Sequence, residues 1–365
     1  MIRKLFTLTF SLIFLSMSSA ACWADDSGVI SDVSLSADSF NPSINRKVTL
    51  SFSLERDEQL TVYVYDPDDG LIRVLEKNKP YKKGKHQIVW DGRDGDKKIV
   101  PDEAYTFVIE TPHDVYDPTT FSGGVVGDIT QAEFNDDGSV IYKLPSLSRV
   151  LFRTGIDNGP MYNTLVDWKP RLAGSVSEYW DGFDQDGLVK LKGHPEFSSL
   201  ITYVTLPETT VIAYGNKKDS YRQYKMGRGE GKAQKPKRAR KEEKHVRLRP
   251  EKLVPPSWVR APQVSMIFPK HKGDKADYVP TVKNGSINVR IDVDEEDKPE
   301  LQKDQFEVLL FINNVFFAEA ERGYIPLNWR WELDQLPAGE HVLSVNVSSF
   351  SGQVGIASRK IIIEK

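Results

Sequence analysis

Trp90-Asp91-Gly92-Arg93-Asp94-Gly95-Asp96 returns ninety residues later as Trp180-Asp181-Gly182-Phe183-Asp184-Gln185-Asp186. The register holds outside the block. Sliding the chain by the same offset, without gaps, also pairs Phe52 with Tyr142, Leu60 with Val150, Val62 with Phe152, Gly84 with Gly174 and Ile99 with Val189. A match that keeps step over this distance marks a duplicated unit of about 90 residues, near the size of an immunoglobulin-like sandwich.

The residues around the first block predict strands. Val48-Thr-Leu-Ser-Phe-Ser-Leu54, Leu60-Thr-Val-Tyr-Val-Tyr65 and Tyr105-Thr-Phe-Val-Ile109 place apolar residues two apart, as a strand with one buried face requires. Pro67-Asp68-Asp69-Gly70 is a turn between two of them. The Trp-Asp-Gly block has two readings. Trp buries its ring while Asp and Gly make the turn that follows, or Asp91, Asp94 and Asp96, repeated as Asp181, Asp184 and Asp186, offer hard oxygens to calcium. The spacing lacks the EF-hand pattern and its terminal glutamate, so no metal and no cofactor is expected.

These residues resemble the FlgD-type immunoglobulin-like domain, found in the flagellar hook-capping protein and in many bacterial exported proteins. The resemblance rests on Phe40-Asn41-Pro42, Val62-Tyr63-Val64-Tyr65-Asp66, Gly84-Lys85-His86, the Trp90 block and Tyr105. It covers about 80 residues. It implies an all-β sandwich and a part in assembling structures outside the cytoplasm. The family has Gly two residues before the tyrosine, where this chain has Glu103.

The chain has 365 residues, 39% of them apolar, enough for two or three packed domains. Met1-Ile2-Arg3-Lys4, the apolar run Leu5 to Met17 and small residues through Ala24 read as a secretory signal. Cleavage after Ala24 would remove the one cysteine. Alternatively Ser19-Ala20-Ala21-Cys22 is a partial lipobox, which would make Cys22 a lipid anchor. Either reading exports the protein to the periplasm or the cell surface.

The second copy, residues 113–216, differs in its middle, where Asp167-Trp168-Lys169-Pro170-Arg171 follows a Gly- and Pro-containing loop. Trp and Arg dominate binding hot spots, so Trp168 and Arg171 are candidate partner contacts; otherwise Trp168 packs under the loop. From Lys217 to Lys252 the composition shifts to 15 Lys or Arg against 5 Asp or Glu, net +10 within a formal total of −3. The remainder is therefore acidic at −13. This stretch reads as a basic linker, with Lys235, Lys237, Arg238, Arg240 and Lys241 as candidate contacts to a polyanion such as lipopolysaccharide or anionic lipid, to an acidic protein, or to the chain's own acidic domains. Export makes nucleic acid an unexpected partner. Beyond it, Ser286 to Val293, Phe306 to Ile312, His341 to Val347 and Lys360 to Ile363 predict a third sandwich. The acidic run Asp292 to Asp297 reads as a solvated loop end or a cation site.

The expected architecture is all-β: a signal at 1–24, immunoglobulin-like domains at 25–112 and 113–216, a basic disordered linker at 217–256, and a third immunoglobulin-like domain at 257–365. No histidine pair has metal-ligand spacing and no G-x-S-x-G elbow occurs. The expected function is a non-catalytic envelope scaffold or adaptor that docks a protein partner. The alternative is a carbohydrate-binding or adhesion module, in which Trp168, Trp180, Trp258, Trp329 or Trp331 would stack on sugars.

Overall fold

Apolar alternation builds the first sandwich. Its strands are β1 (Ile30–Leu35), β2 (Ser39–Phe40), β3 (Val48–Leu54), β4 (Glu58–Tyr65), β5 (Leu71–Tyr81), β6 (Gly84–Trp90), β7 (Glu103–Glu110) and β8 (Val115–Tyr116). Val48, Leu50, Phe52 and Leu54 of β3 are buried against Leu60, Val62 and Val64 of β4, which belongs to the other sheet. Trp90 fills the space between them, its ring in contact with Phe40, Tyr105 and Phe107. The computed structural model describes residues 28–227, 256–269, 278–283 and 285–365. The segment expected to be a signal, with Cys22, and Lys235, Lys237, Arg238, Arg240 and Lys241, lie outside the described residues.

The second sandwich comprises β9 (Val126–Asp128), β10 (Glu133–Phe134), β11 (Ser139–Leu144), β12 (Ser148–Ile156), β13 (Met161–Arg171), β14 (Gly174–Tyr179) and β15 (Phe197–Thr205). Its sheets are ordered β10-β11-β14 and β13-β12-β15-β9. The next strand, β16 (Thr210–Ala213), leaves it. It returns to the first sandwich, antiparallel to β7 with Val211 opposite Tyr105, and parallel to β2 with Ile212 opposite Ser39. Val211 and Ala213 are fully buried in the first core.

β8 and β16 thus fall within the residues expected for the second domain, 113–216, yet pair with strands of the first. The second sandwich is inserted between two neighbouring strands of the first, and β9 takes beside β15 the place that β16 takes beside β7. A sheet edge left open at β7 would expose a row of unpaired backbone groups. Alternation along Thr210 to Ala213 shows which face is buried, but not which sheet the strand joins.

After α1 (Tyr221–Gly227) come β17 (Val264–Ile267), β18 (Thr281–Val282), β19 (Ser286–Val293), α2 (Lys298–Asp304), β20 (Phe306–Ile312), β21 (Val315–Ala320), β22 (Leu327–Glu332), β23 (Gly339–Ser349) and β24 (Val354–Ile363). The third sandwich repeats the first: β17-β19-β22 faces β18-β24-β23-β20-β21, and β18 runs parallel to β24 as β2 does to β16. The described chain is thus three immunoglobulin-like β-sandwiches, the second nested in the first.

Both Trp-Asp-Gly blocks are turns of one geometry. The indole Nε1 donates to the carbonyl of Arg93 in the first and of Phe183 in the second. Asp91 and Asp181 accept the amides of Arg93 and Phe183. Asp94 Oδ1 accepts the amides of Asp96 and Lys98, and Asp184 Oδ1 those of Leu188 and Val189. Gly92 and Gly182 have φ of 70° and 87°, and a Cβ at Gly92 would lie 2.4 Å from Pro42. Only glycine adopts that backbone without strain.

Candidate functional site

The hairpin turn between β4 and β5 gathers side chains from beyond its own sandwich. Asp66 Oδ1 accepts the amides of Asp68 and Gly70, which aims Oδ2 at Lys225 Nζ of α1, 2.7 Å away. Both groups are buried. Burial pushes the Asp66 carboxyl up, and the ammonium beside it pulls it back. On the same helix, Tyr224 donates to Asp94 Oδ2 of the first Trp-Asp-Gly turn at 2.9 Å. Arg222 reaches the third sandwich, 3.0 Å from Asp297 Oδ1.

Residues 221–227, read as the start of a linker, are therefore a docked helix. The acidic run divides: Asp294, Glu295 and Glu296 are exposed, as a solvated loop end is, while its two ends are paired. Asp297 holds Arg222, Arg260 and the amide of Gln263, while Asp292 pairs with Arg290 and Lys298. These carboxylates neutralise cations of their own chain.

Asp68 brings together the residues on either side of the basic segment. Its Oδ2 accepts Tyr221 OH and its Oδ1 accepts the amide of Ser257, each at 2.9 Å. Replacing residues 229–254 by a short Gly-Ser bridge should therefore leave the sandwiches joined, because loop length enters closure entropy only logarithmically. Calorimetry of that variant is expected to find Tm changed by less than about 2 °C; a fall of tens of degrees would show that the excised residues hold the sandwiches together.

The first and second sandwiches meet at Glu103 of β7 and Arg149 of β12, both buried, with Arg149 Nη2 3.4 Å from Glu103 Oε2. Arg149 Nε donates to the Trp168 carbonyl at 2.8 Å, and its Nη1 to Ser257 Oγ. Burial raises the Glu103 carboxyl, opposed chiefly by Arg149. Glu103 is thus one half of the junction.

The second and third sandwiches meet through hydrogen bonds. The Asn346 side chain accepts from the Met161 amide and donates to its carbonyl, both at 2.8 Å. Tyr162 OH donates to Asn314 Oδ1 at 2.7 Å. Gln185, in the second Trp-Asp-Gly turn, donates to the Ile356 carbonyl, and Asp186 Oδ2 accepts the Ser358 amide at 2.7 Å. The repeated turn is a socket in both copies: the first receives α1, the second receives β24.

Burial pushes the carboxyls of Asp184 and Asp186 up, against the backbone amides that hold them. A carboxyl whose folded pKa is raised binds its proton more readily folded than unfolded. Its ionised form therefore opposes folding at neutral pH, and the penalty fades as pH falls through the folded pKa toward the ordinary value near ~3.9. Asp137, whose carboxylate accepts the Ser139 hydroxyl and amide, is shifted down. Carboxyl-carbon NMR titration is expected to place Asp184 and Asp186 above Asp137; coincident midpoints would contradict this account.

The residues singled out beforehand fare unevenly. Trp168 is 7% exposed and packs with Leu151 and Val204 of its own sandwich, while its carbonyl accepts from Arg149. Its φ of 48° is rare for a bulky side chain, and Asn78, ninety residues earlier, has φ 51° at the same bulge. Arg171 forms a two-pronged pair with Glu178, at 2.6 and 3.2 Å, within its own sandwich. Trp90, Trp180 and Trp331 are buried, and Trp258 and Trp329 half-buried. Glu103, Arg149, Arg222, Lys225 and Asn346 were missed. Among the described residues no three His, Cys, Asp or Glu are grouped to hold a metal, and no helix is long and apolar enough to cross a membrane.

No protein-family model matches the chain, and no curated protein matches it in sequence. Many solved structures share some likeness, three of which follow. A tetra-tandem repeat from the extending region of a large adhesion protein is similar at 9% identity over 92% of this chain and 74% of its own, with a TM-score of 0.20. The central fibronectin-III array of RIM-binding protein is similar at 11% identity over 94% of this chain and 99% of its own, with a TM-score of 0.18. An endo-beta-1,4-mannanase from Thermotoga petrophila is similar at 15% identity over 29% of this chain, with a TM-score of 0.21, and the match spans only 20% of the mannanase. At these TM-scores the likenesses add nothing to the fold read from the strands.

Proposed function

We propose that the chain is a non-catalytic scaffold or adaptor of the bacterial envelope, built from FlgD-type immunoglobulin-like domains and exported by its N-terminal signal. The observation that carries this reading is the junction. Buried pairs at Asp66–Lys225 and Glu103–Arg149, with a hydrogen-bonded seam to the third sandwich, brace the domains against one another. Such bracing suits a part that holds partners in fixed relation. The basic segment leaves and rejoins the body on either side of one carboxylate, Asp68, so it offers its cations without setting the spacing of the domains.

In this reading the sandwiches dock a protein partner, and Lys235, Lys237, Arg238, Arg240 and Lys241 attract a polyanion or an acidic protein. The test is recovery of partners from envelope fractions at physiological salt, using wild type and a variant with those five residues changed to Gln. The adaptor reading expects a protein recovered by both and an anionic component lost from the variant. Recovery of no protein would sink the adaptor role, and equal retention of anionic vesicles at low salt would remove the five cations from it.

A further inference from the structure

We infer that Lys225 and Asp66 condense to an amide, a self-modification that ties α1 covalently to the first sandwich. Of the lysine–carboxylate pairs among the described residues, this one has both side chains out of water, 7% and 0% exposed, whereas Lys298 and Asp292 stand at 17% and 18%.

The carboxyl is held as an electrophile. Its Oδ1 accepts the amides of Asp68 and Gly70, at 2.9 and 2.7 Å, while its Oδ2 meets Lys225 Nζ at 2.7 Å. Two amides on one oxygen are the arrangement that stabilises the oxyanion of acyl transfer. Gly70 also clears the approach, because a Cβ there would lie 2.8 Å from Lys225 Nζ. Pro67 follows Asp66 and has no amide N–H, so the backbone nitrogen after this carboxyl cannot close on it as a succinimide. Lys225 is the nucleophile that the fold sets against it.

Burial favours neutral groups over ions, and it already pushes the Asp66 carboxyl up. One ammonium proton passes to Oδ2 along the hydrogen bond. The freed amine attacks Cγ, and Oδ1 takes the negative charge between its two amides. A second proton leaves the nitrogen for Oδ2, the Cγ–Oδ2 bond breaks, and water departs as Oδ1 returns to a carbonyl. Ammonium and carboxylate thus become one amide and one water, with no oxidant and no co-reactant.

The bond joins residues 159 apart, and the loop it closes holds β7, the whole second sandwich and β16. Such a cross-link constrains the unfolded chain as a disulfide does. Cys22 is the single cysteine, so no disulfide within the chain supplies that constraint.

The test is mass spectrometry of the purified full chain under denaturing conditions, its mass reckoned from its own N-terminus, with tryptic mapping. Wild type is expected one water lighter than its sequence, uncut after Lys225, with a branched peptide joining the segments that carry Asp66 and Lys225. K225R keeps the cation and loses the nucleophilic amine, so it should keep its circular dichroism, carry the full mass and yield the two segments separately. The branched peptide of wild type decides the matter even where K225R fails to fold. Wild type at full mass and cut after Lys225 would overturn the proposal and leave the pair ionic. So would a water loss that persists in K225R, which would assign it to succinimides at Asp-Gly steps such as Asp69-Gly70, Asp91-Gly92 or Asp94-Gly95.

Discussion

Replacing Arg149 by methionine is expected to remove about 3–5 kcal/mol of stability at neutral pH, the usual result of stranding one partner of a buried ion pair. Glu103 is 0% exposed, and without the guanidinium its carboxylate would keep, among the described residues, the hydrogen bond from the Ala104 amide at 2.9 Å and the more distant charge of Lys169. The same substitution frees the Trp168 carbonyl, which Arg149 holds at a left-handed backbone position. Urea denaturation of R149M, E103Q and the double variant separates the contributions. The double variant should recover much of the loss, since removing both charges of such a pair is often close to neutral. The deficit of R149M should shrink on acidification. Burial already raises Glu103, and losing its cation raises it further. The folded state then takes up a proton as pH falls through that value, and the stranded charge disappears. A loss below about 1 kcal/mol, in the range of an exposed pair, would mean that the junction is open to solvent.

How far the fold was legible in the sequence follows from which physical signals are local. Val48 to Leu54 announces its buried face by alternation, and the Trp90 block announces its turn by composition, because both depend on neighbours along the chain. The allegiance of β16 does not, since Val211 and Ala213 would be buried in either sandwich. The helix α1 carried a usable signal that the surrounding cations masked: Tyr221, Tyr224 and Lys225 stand at i, i+3 and i+4, one face of a helix. Trp168 stands ninety residues after Asn78 at the same bulge, a position where residue type alone does not give exposure. Glu103, the first residue of β7, finds its partner 46 residues away in another sandwich, a distance over which no local pattern carries.

Trp180 to alanine is expected to cost a comparable about 3–5 kcal/mol, with a consequence outside its own core. The indole is 4% exposed, stacks on Phe197 with centres 5.4 Å apart, meets Phe134 edge-on, and fixes the following turn through its bond to the Phe183 carbonyl. That turn presents Gln185 and Asp186 to β24 of the third sandwich. Losing the ring should therefore loosen the socket as well as hollow the second core. Trp90 to alanine provides the comparison: it removes an equally buried ring, but its turn presents Asp94 to Tyr224 of α1 and nothing to β24. Hydrogen exchange at the Ser358 amide discriminates the two, because that amide is held by Asp186. It should stay protected in W90A and exchange faster in W180A under conditions where both remain folded. Equal protection in the two variants would show that the repeated turn is a local structural device and not the socket that joins one sandwich to the next.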